Sequence, residues 1–306
     1  MNKVKKQQHI IPKKSYLKYW EDTNERKPSL WVYRIKGDRT VEGFSSITPI
    51  GIPADQFAKE HFFYESSEKP QNILETALQQ VEDEYLPVLR EKITKGKELT
   101  EEDKIKVARF ISSLELRTKS SRENVEDFQK RALDMITMVE KSHGLKEKSS
   151  VHKQMEESMK GNIMFTDQLV IGTNFNRYSI FNIQFLVIDE NSEHLFLTCN
   201  HPVAMLDLSY GNSFYTGAPL SPTMEITIPL TPYITAFLSH RNFNTYEDVT
   251  YDFNYINEIN NRVLLYSHDY FVSKTKLGDD DIKRMIERER QSLLLRAMRD
   301  NIYEDI

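Results

Sequence analysis

Cysteine is almost absent from this 306-residue sequence, in which Cys199 is the only one. A single cysteine excludes an intrachain disulfide framework and any zinc cluster built on several thiolates. The eight histidines are scattered, and no two have the spacing with which a helix holds a metal ion. A zinc site is therefore not expected.

Long apolar runs are also missing, since no stretch reaches the roughly 18 residues that a transmembrane helix needs. The N-terminus lacks the apolar core and cleavage pattern of a secretory signal. We therefore expect a cytoplasmic protein without a membrane partner. The 41 basic and 46 acidic residues give a net charge of −5, which argues against a wholly basic nucleic-acid binder.

Strong catalytic motifs are lacking as well. The sequence contains no phosphate loop, no dinucleotide fingerprint, no His-Glu-x-x-His and no Gly-x-Ser-x-Gly. It does contain 39% hydrophobic residues, which is enough apolar material for a folded core.

Basic residues are unevenly distributed along the chain. Residues 161–273 contain no lysine and only three arginines, and they are rich in aromatic residues, Asn, Thr and Ile, which favour strands and turns. We expect one domain over residues 1–272, helical at about 65–160 and strand-rich at about 163–272. A C-terminal helical extension follows at 273–306.

Hydrophobic periodicity predicts three helices in the first half of the chain. One spans residues 71–93, with Pro87 expected to kink it or end its regular part. A second begins at Thr100, a hydroxyl cap followed by acidic residues. A third covers about 121–143, and its inward residues are predicted to be Val125, Phe128, Ala132, Met135, Ile136 and Val139.

Strands are predicted on both sides of this helical region. Trp31, Tyr33 and Ile35 alternate with Val32, Arg34 and Lys36, and a turn at Gly37 and Asp38 leads into a partner strand at 39–44. Residues 180–188 and 195–198 read as a second hairpin. Further along the chain we expect strands at 226–230 and 236–239, a helix at 254–268 and a charged helix at about 279–301. The predicted fold is α+β, with helices packed on a mostly antiparallel sheet.

Three inward-facing charged residues are the most informative polar feature. Glu75 and Glu82 lie about 20° apart on the first helix, at the edge of its apolar stripe. Arg117 lies within about 20° of Phe110 on the apolar face of the second helix. Since unpaired buried charges are costly, we expect Arg117 to bind one carboxylate through two parallel hydrogen bonds. A structural ion pair and a polar active or binding pocket both explain this pattern.

Other candidate site residues lie far away in the sequence. His9 precedes the fixed bend at Pro12 and could act as a general acid or base, or cap a backbone carbonyl. Asn200 and His201 follow a strand and suit ligand binding or a turn. Ser221 lies between two prolines in a rigid loop, where its hydroxyl could be presented to a ligand or serve the loop alone.

The N-terminal 40 residues have eleven basic and four acidic side chains interleaved with aromatic ones. Such a surface can contact phosphates and stack on bases. A solvated chain end with buried aromatic residues explains the same composition.

In their order and spacing, these features resemble domain-of-unknown-function family 4238, an uncharacterised family found mainly in bacteria. The resemblance covers about residues 8–272. The segments that carry it are His9-Ile10-Ile11-Pro12, Tyr16-Leu17-Lys18-Tyr19-Trp20, Leu30-Trp31-Val32-Tyr33, His61-Phe62-Phe63-Tyr64, Glu75 with Glu82, Phe110-Ile111 with Arg117, Leu197–Val203, Pro219–Pro222, Asn257 or Asn260, and Tyr266-Ser267.

The sequence departs from the family pattern at one segment. Where the family usually has Thr-Ser-Asp-Asn-Pro, Asn200 stands at the aspartate and His201 at the asparagine. If that aspartate bound a metal ion or acted as a base, the function is lost or altered here. The family label itself implies no reaction.

The main hypothesis is that the polar residues converge in one cleft of a phosphodiesterase-like or nuclease-like hydrolase. Glu75 and Glu82 would hold a divalent ion or act as base, His9 would be the acid or base, and Arg117 would bind phosphate. The expected partner is then nucleic acid or a phosphate-containing ligand. The alternative is a non-enzymatic sensor or interaction module that binds a small ligand or peptide, with its C-terminal helix contacting a protein partner. A third interpretation is that the ion pairs only stabilise the fold.

Overall fold

A computed structural model describes residues 7–24, 27–36, 46–61, 63–64, 73–145, 147–160, 162–174, 178–207, 221–267, 269–285 and 287. The α+β class is confirmed, with strands that are mostly antiparallel. The described residues form two compact units. Unit 1 comprises 1–12, 58–90 and 99–179, and unit 2 comprises 13–57, 91–98 and 180–306.

The helices and strands have the following bounds. The strands are β1 (Gln7–His9), β2 (Leu30–Lys36), β3 (Ser46–Ile52), β4 (Lys59–His61), β5 (Asn182–Val187), β6 (Thr198–Cys199), β7 (Ala204–Asp207), β8 (Met224–Thr231), β9 (Ile234–Ser239), β10 (Tyr246–Asp248) and β11 (Tyr270–Ser273). The helices are α1 (Ile73–Glu91), α2 (Glu101–Leu116), α3 (Lys119–Ser142), α4 (Ser150–Lys160), α5 (Ile163–Asn174) and α6 (Phe253–Tyr266). No described helix has the length and apolar character needed to cross a membrane.

Unit 1 contains the five helices α1 to α5 and a two-stranded antiparallel sheet in which β1 pairs with β4. The predicted start of α2 is confirmed, because the Thr100 hydroxyl accepts from the backbone N–H of Asp103 and the Asp103 carboxylate accepts from the backbone N–H of Thr100. This reciprocal pair satisfies two donors that a helix start leaves open. Helix α1 continues past Pro87 to Glu91, so the helix predicted at 71–93 is observed and the proline does not end it.

The prediction of strands from residue 163 onward is wrong for α5. Its sequence is rich in β-branched residues, yet Phe165 and Leu169, four residues apart, are both buried in the core of unit 1 with Leu116 of α2. The glycine at position 172 faces Leu116 so closely that an added Cβ atom would lie 2.3 Å from its Cδ1. Tertiary packing therefore overrides the local strand preference.

The inward face predicted for α3 is also partly wrong. Val125 is buried, but Phe128, Met135 and Val139 are 61%, 67% and 56% exposed. The helix is amphipathic as the periodicity indicates, yet its buried flank is centred on other positions, among them Gln129 and Glu140. Periodicity identifies an apolar stripe without showing whether anything covers it.

Unit 2 contains two sheets where one was predicted. The five-stranded sheet has the order β10-β5-β9-β8-β7, and the four-stranded sheet has the order β3-β2-β11-β6. Every pairing is antiparallel except that of β10 with β5. Strands β8 and β9 confirm the predictions at 226–230 and 236–239, and all their residues are buried.

Both predicted hairpins differ from the structure. Strand β5 pairs with β9 and β10, whereas residues 198–199 form β6 beside β11 in the other sheet, so 180–188 and 195–198 do not pair. Strand β2 pairs with β3, and the turn and strand predicted at 37–44 lie outside the described residues. The partners of β5 and β6 are distant in sequence, and local patterns cannot reveal such pairings.

Helix α6 confirms the prediction at 254–268. Its buried residues include Ile256, Ile259, Val263 and Leu264, which repeat with helical spacing. The chain after β11 is helical at 279–285, with Ile282 buried against Val263 and Phe271. The rest of the predicted C-terminal helix lies outside the described residues, apart from Glu287.

Candidate functional site

Arg117 lies at the C-terminal end of α2 in unit 1, and its side chain is only 3% exposed. Its Nη1 donates to Glu82 Oε1 at 2.9 Å, its Nη2 to the carbonyl oxygen of His9 at 2.6 Å, and its Nε to the Tyr64 hydroxyl at 2.9 Å. The predicted pairing with a carboxylate of α1 is therefore observed. The guanidinium divides its donors among three acceptors from three distant segments, whereas two parallel bonds to one carboxylate had been predicted.

Tyr64 connects the same residues from a second direction. Its hydroxyl donates to the carbonyl oxygen of His9 at 2.7 Å, and its backbone N–H donates to Gln8 Oε1 at 2.8 Å. The Arg117 guanidinium also lies 5.7 Å from the centre of the Tyr64 ring. Tyr64 thus fixes β1 against the end of α2, a role that no motif in the sequence indicated.

Burial governs the protonation of this group, which we call the Arg117 cluster (His9, Tyr64, Glu82 and Arg117). Desolvation raises the pKa of Tyr64, although Arg117 opposes the shift. Desolvation also disfavours the charged form of Arg117, but the neighbouring Tyr64 and Glu82 outweigh it and raise the pKa of the guanidinium. The cluster therefore contains a neutral phenol and a permanently charged arginine near neutral pH.

Glu82 has a side chain that is 18% exposed, so solvent reaches the edge of the cluster. Glu75 is partly buried on the same helix, and its charge acts on Tyr64. Both acids predicted on the edge of the apolar stripe therefore lie near Tyr64. Arg117 and Tyr64 both bind the backbone carbonyl of His9, and any residue at position 9 can supply a carbonyl.

The described residues give little support for a metal site. Within them, no group of three or more His, Cys, Asp or Glu side chains is arranged to hold an ion. Arg117 places a fixed positive charge against Glu82, which further disfavours a cation at that carboxylate. The divalent ion considered from the sequence stays a prediction.

Asn200 and His201 lie in unit 2, directly after β6. Asn200 is buried, and its Oδ1 accepts from the backbone N–H of Asp269 at 3.3 Å. The His201 ring packs edge-on against Tyr266 at 5.5 Å, and its backbone oxygen accepts from the Cys199 thiol. These contacts join the end of β6 to the segment between α6 and β11.

Ser221 also belongs to unit 2. Its hydroxyl lies 3.0 Å from that of Thr223, which donates to Asp207 Oδ1 at 2.6 Å. This arrangement ties the segment before β8 to the end of β7. The convergence of these unit 2 residues with the Arg117 cluster stays a prediction.

Unit 2 contains a cavity of about 350 Å³ beside the N-terminal half of α6. Its apolar lining includes Leu197, Ile256, Leu277 and Met285, and its polar lining includes charged side chains of both signs. Ligand pockets in proteins commonly start at about 300 Å³ and combine apolar walls with a few polar groups. The cavity thus falls within the size range of small-molecule sites.

Two asparagines of α6 line this cavity and have different roles. Asn260 is buried, accepts from the backbone N–H of Leu197 at 2.8 Å and donates to the carbonyl oxygen of Leu195 at 2.9 Å. The Nδ2 of Asn257 is buried too, but has no acceptor within the part of the chain that the structure describes. Asn260 therefore supports the backbone, whereas Asn257 offers a donor.

The charged edge of the cavity comes from two segments. Glu193 belongs to the loop after β5, and Asp281 and Arg284 belong to the helical turn at 279–285. Arg284 Nη2 donates to Asp281 Oδ1 at 2.7 Å, and both side chains are about half exposed or more. Exposed pairs of this kind are weak and can exchange partners at little cost.

A protein-family model matches most of the chain, including the segments that form the Arg117 cluster and most of those that line the cavity beside α6. The family described as "Protein of unknown function (DUF4238)" matches residues 7–276, and the chain belongs to that family. The resemblance expected from the sequence is thereby confirmed. No curated protein and no solved structure matches this chain.

Proposed function

We propose that this protein is a non-enzymatic ligand-sensing module whose ligand binds in the cavity beside α6. The observation that carries the proposal is that Asn257 lines the cavity and that its buried Nδ2 has no acceptor among the described residues. An unsatisfied buried donor costs about 1–3 kcal/mol. A ligand that brings an acceptor to Asn257 recovers that free energy, so the cavity favours an occupant with a carbonyl or carboxylate oxygen.

The rest of the cavity lining specifies the ligand further. Leu197, Ile256 and Leu277 favour an apolar side chain, and the charges of Glu193 and Arg284 at the edge favour polar ends. An apolar side chain flanked by amide carbonyls is the chemistry of a short hydrophobic peptide or an N-acylated amino acid. We therefore assign this class as the ligand.

The Arg117 cluster has a structural role in this proposal. The guanidinium is nearly inaccessible and binds Glu82, Tyr64 and the His9 backbone. Phosphate-binding arginines need donors that a ligand can reach. The cluster thus matches the structural Glu/Arg network of the alternative considered from the sequence, and protein binding through the C-terminal helix stays a prediction.

Calorimetric titration with N-acetyl-leucinamide and N-acetyl-leucine tests the sensing proposal. We expect both probes to bind, and Asn257→Ala to weaken their binding about fivefold, since one hydrogen bond is worth about 1 kcal/mol. Asn254→Ala, on an exposed part of the same helix, is the matched control and should bind as the unsubstituted protein does. Absence of binding at millimolar probe concentration, or equal affinity in the Asn257 variant, would contradict the proposal.

A hydrolase is the second candidate, favoured by the partly exposed Glu82 carboxylate beside a buried arginine. A nuclease-like activity would use Glu82 as base. Incubation of RNA and DNA with the protein and Mg²⁺ or Mn²⁺ tests it. Degradation that Glu82→Gln abolishes would support the hydrolase. Substrates that stay intact would contradict it, and the sensing function would remain as the proposal.

A further inference from the structure

An exposed apolar stripe on α3 has no role in the proposed function. Phe128, Met135, Met138 and Val139 are between 56% and 70% exposed, although all four are large apolar residues. Together they present on the order of 400 Å² of apolar surface, which matches the largest patch of a typical monomer and is often functional. We call these four residues, with Ala132 between them, the α3 stripe.

The α3 stripe has the spacing of a helix-packing seam. Phe128, Ala132, Met135 and Val139 follow at intervals of four, three and four residues, and fall within about 60° around the helix axis. Such a seam packs on a second helix that carries the same spacing. The sequence of α3 itself meets that requirement.

We propose that two copies of this protein associate through their α3 stripes, with the two α3 helices antiparallel. The twofold axis then passes between residues 133 and 134. Phe128 lies opposite Val139 of the second copy, and Ala132 lies opposite Met135 of the second copy. A bulky residue meets a small one at every level, as interdigitated packing requires.

Charges beside the α3 stripe favour the same arrangement. An antiparallel pair brings the same flank of both helices together, and Arg131 and Asp134 share the exposed flank with Met138. Arg131 then lies within about 3 Å along the axis of Asp134 of the second copy. The twofold axis generates a second, identical pair, in which Asp134 lies beside Arg131 of the second copy.

The opposite flank of α3 is covered by other residues of the same chain. Gln129 and Glu140 are buried there, and Glu140 accepts from the Ser149 backbone N–H at 2.8 Å and lies 2.9 Å from His152 Nδ1. Helices α4 and α5 of the same unit contact α3 on this side. In a parallel pair the flank with Arg131 and Asp134 would face this covered flank of the second copy, so only the antiparallel pair brings the complementary charges together.

Sedimentation of the full chain over a range of concentrations tests the proposal. We expect a reversible shift from the 36.0 kDa monomer to twice that mass, with a dissociation constant in the micromolar range because one helix pair gives a small interface. Met135→Glu should abolish the shift. Val151→Glu, which changes an exposed apolar residue of α4, should leave the shift intact.

A charge exchange provides the second arm and does not depend on an apolar substitution. Arg131→Asp and Asp134→Arg should each weaken association at least tenfold, because each places two like-charged pairs across the twofold axis. The double variant should restore association. A monomer at every concentration, a dimer unaffected by Met135→Glu, or no recovery in the double variant would overturn the proposal.

Discussion

Replacing Arg117 by leucine is expected to lower the free energy of unfolding by about 3–5 kcal/mol, the usual cost of breaking a buried ion pair from one side. The substitution leaves the Glu82 carboxylate without its guanidinium and removes the donor to the Tyr64 hydroxyl. It also removes one of the two bonds to the His9 carbonyl. Because three segments meet at Arg117, the loss should affect unit 1 as a whole.

Urea denaturation followed by circular dichroism measures this effect, with Arg109→Leu as the control. Arg109 pairs with Glu84 at 2.7 Å, but both side chains are about a quarter exposed, so its loss should cost at most about 1 kcal/mol. The double variant Arg117→Leu with Glu82→Leu should recover part of the loss, since an apolar pair leaves no buried charge. Equal midpoints for Arg117→Leu and Arg109→Leu would show that the cluster does not stabilise the fold.

Replacing Asn260 by alanine is the second substitution with a large expected effect. Its amide satisfies the backbone N–H of Leu197 and the carbonyl of Leu195, and both groups lose their partner in the variant. Each unsatisfied buried group costs about 1–3 kcal/mol, so we expect a loss of about 2–4 kcal/mol in the free energy of unfolding.

Asn257→Ala is the matched comparison on the same helix. It removes a buried donor that has no acceptor among the described residues, so its stability should change by less than about 0.5 kcal/mol or increase slightly. Thermal and urea unfolding of the two variants measures the difference. If Asn257→Ala destabilised the protein as much as Asn260→Ala, Asn257 would be a structural residue and its role as ligand donor would be wrong.

The ion pair of the Arg117 cluster was predictable because it depends on local periodicity. Glu82 and Arg117 lie on apolar faces of their helices, and buried charges need partners. The other members carry no such signal. The acceptor at position 9 is a backbone carbonyl, which every residue has, and Tyr64 lies in a segment that carries the family resemblance but indicates no partner for its hydroxyl.

The fold was predictable where contacts are local and not where they are distant. The capping box at Thr100 and the apolar spacing of α6 are short patterns, and the structure confirms both. The pairing of β5 with β9 joins strands about fifty residues apart, and the helical state of α5 depends on packing against Leu116. These features are set by tertiary contacts, which a short sequence window does not contain.

The exposed stripe of α3 illustrates the limit of periodicity in the opposite direction. The spacing of Phe128, Met135 and Val139 indicates an apolar face, and the chain forms the helix. Burial depends on what lies against that face, and the exposure of these side chains leaves room for a second copy. A pattern that seems to describe the core can thus describe an interface.

A crystal structure determined after soaking with N-acetyl-leucinamide tests the central claim most directly. We predict the probe in the cavity beside α6, with a carbonyl oxygen within hydrogen-bond distance of Asn257 Nδ2 and its leucine side chain against Ile256 and Leu277. A probe bound instead at Glu82 and Arg117, with the cavity beside α6 unoccupied, would contradict the claim.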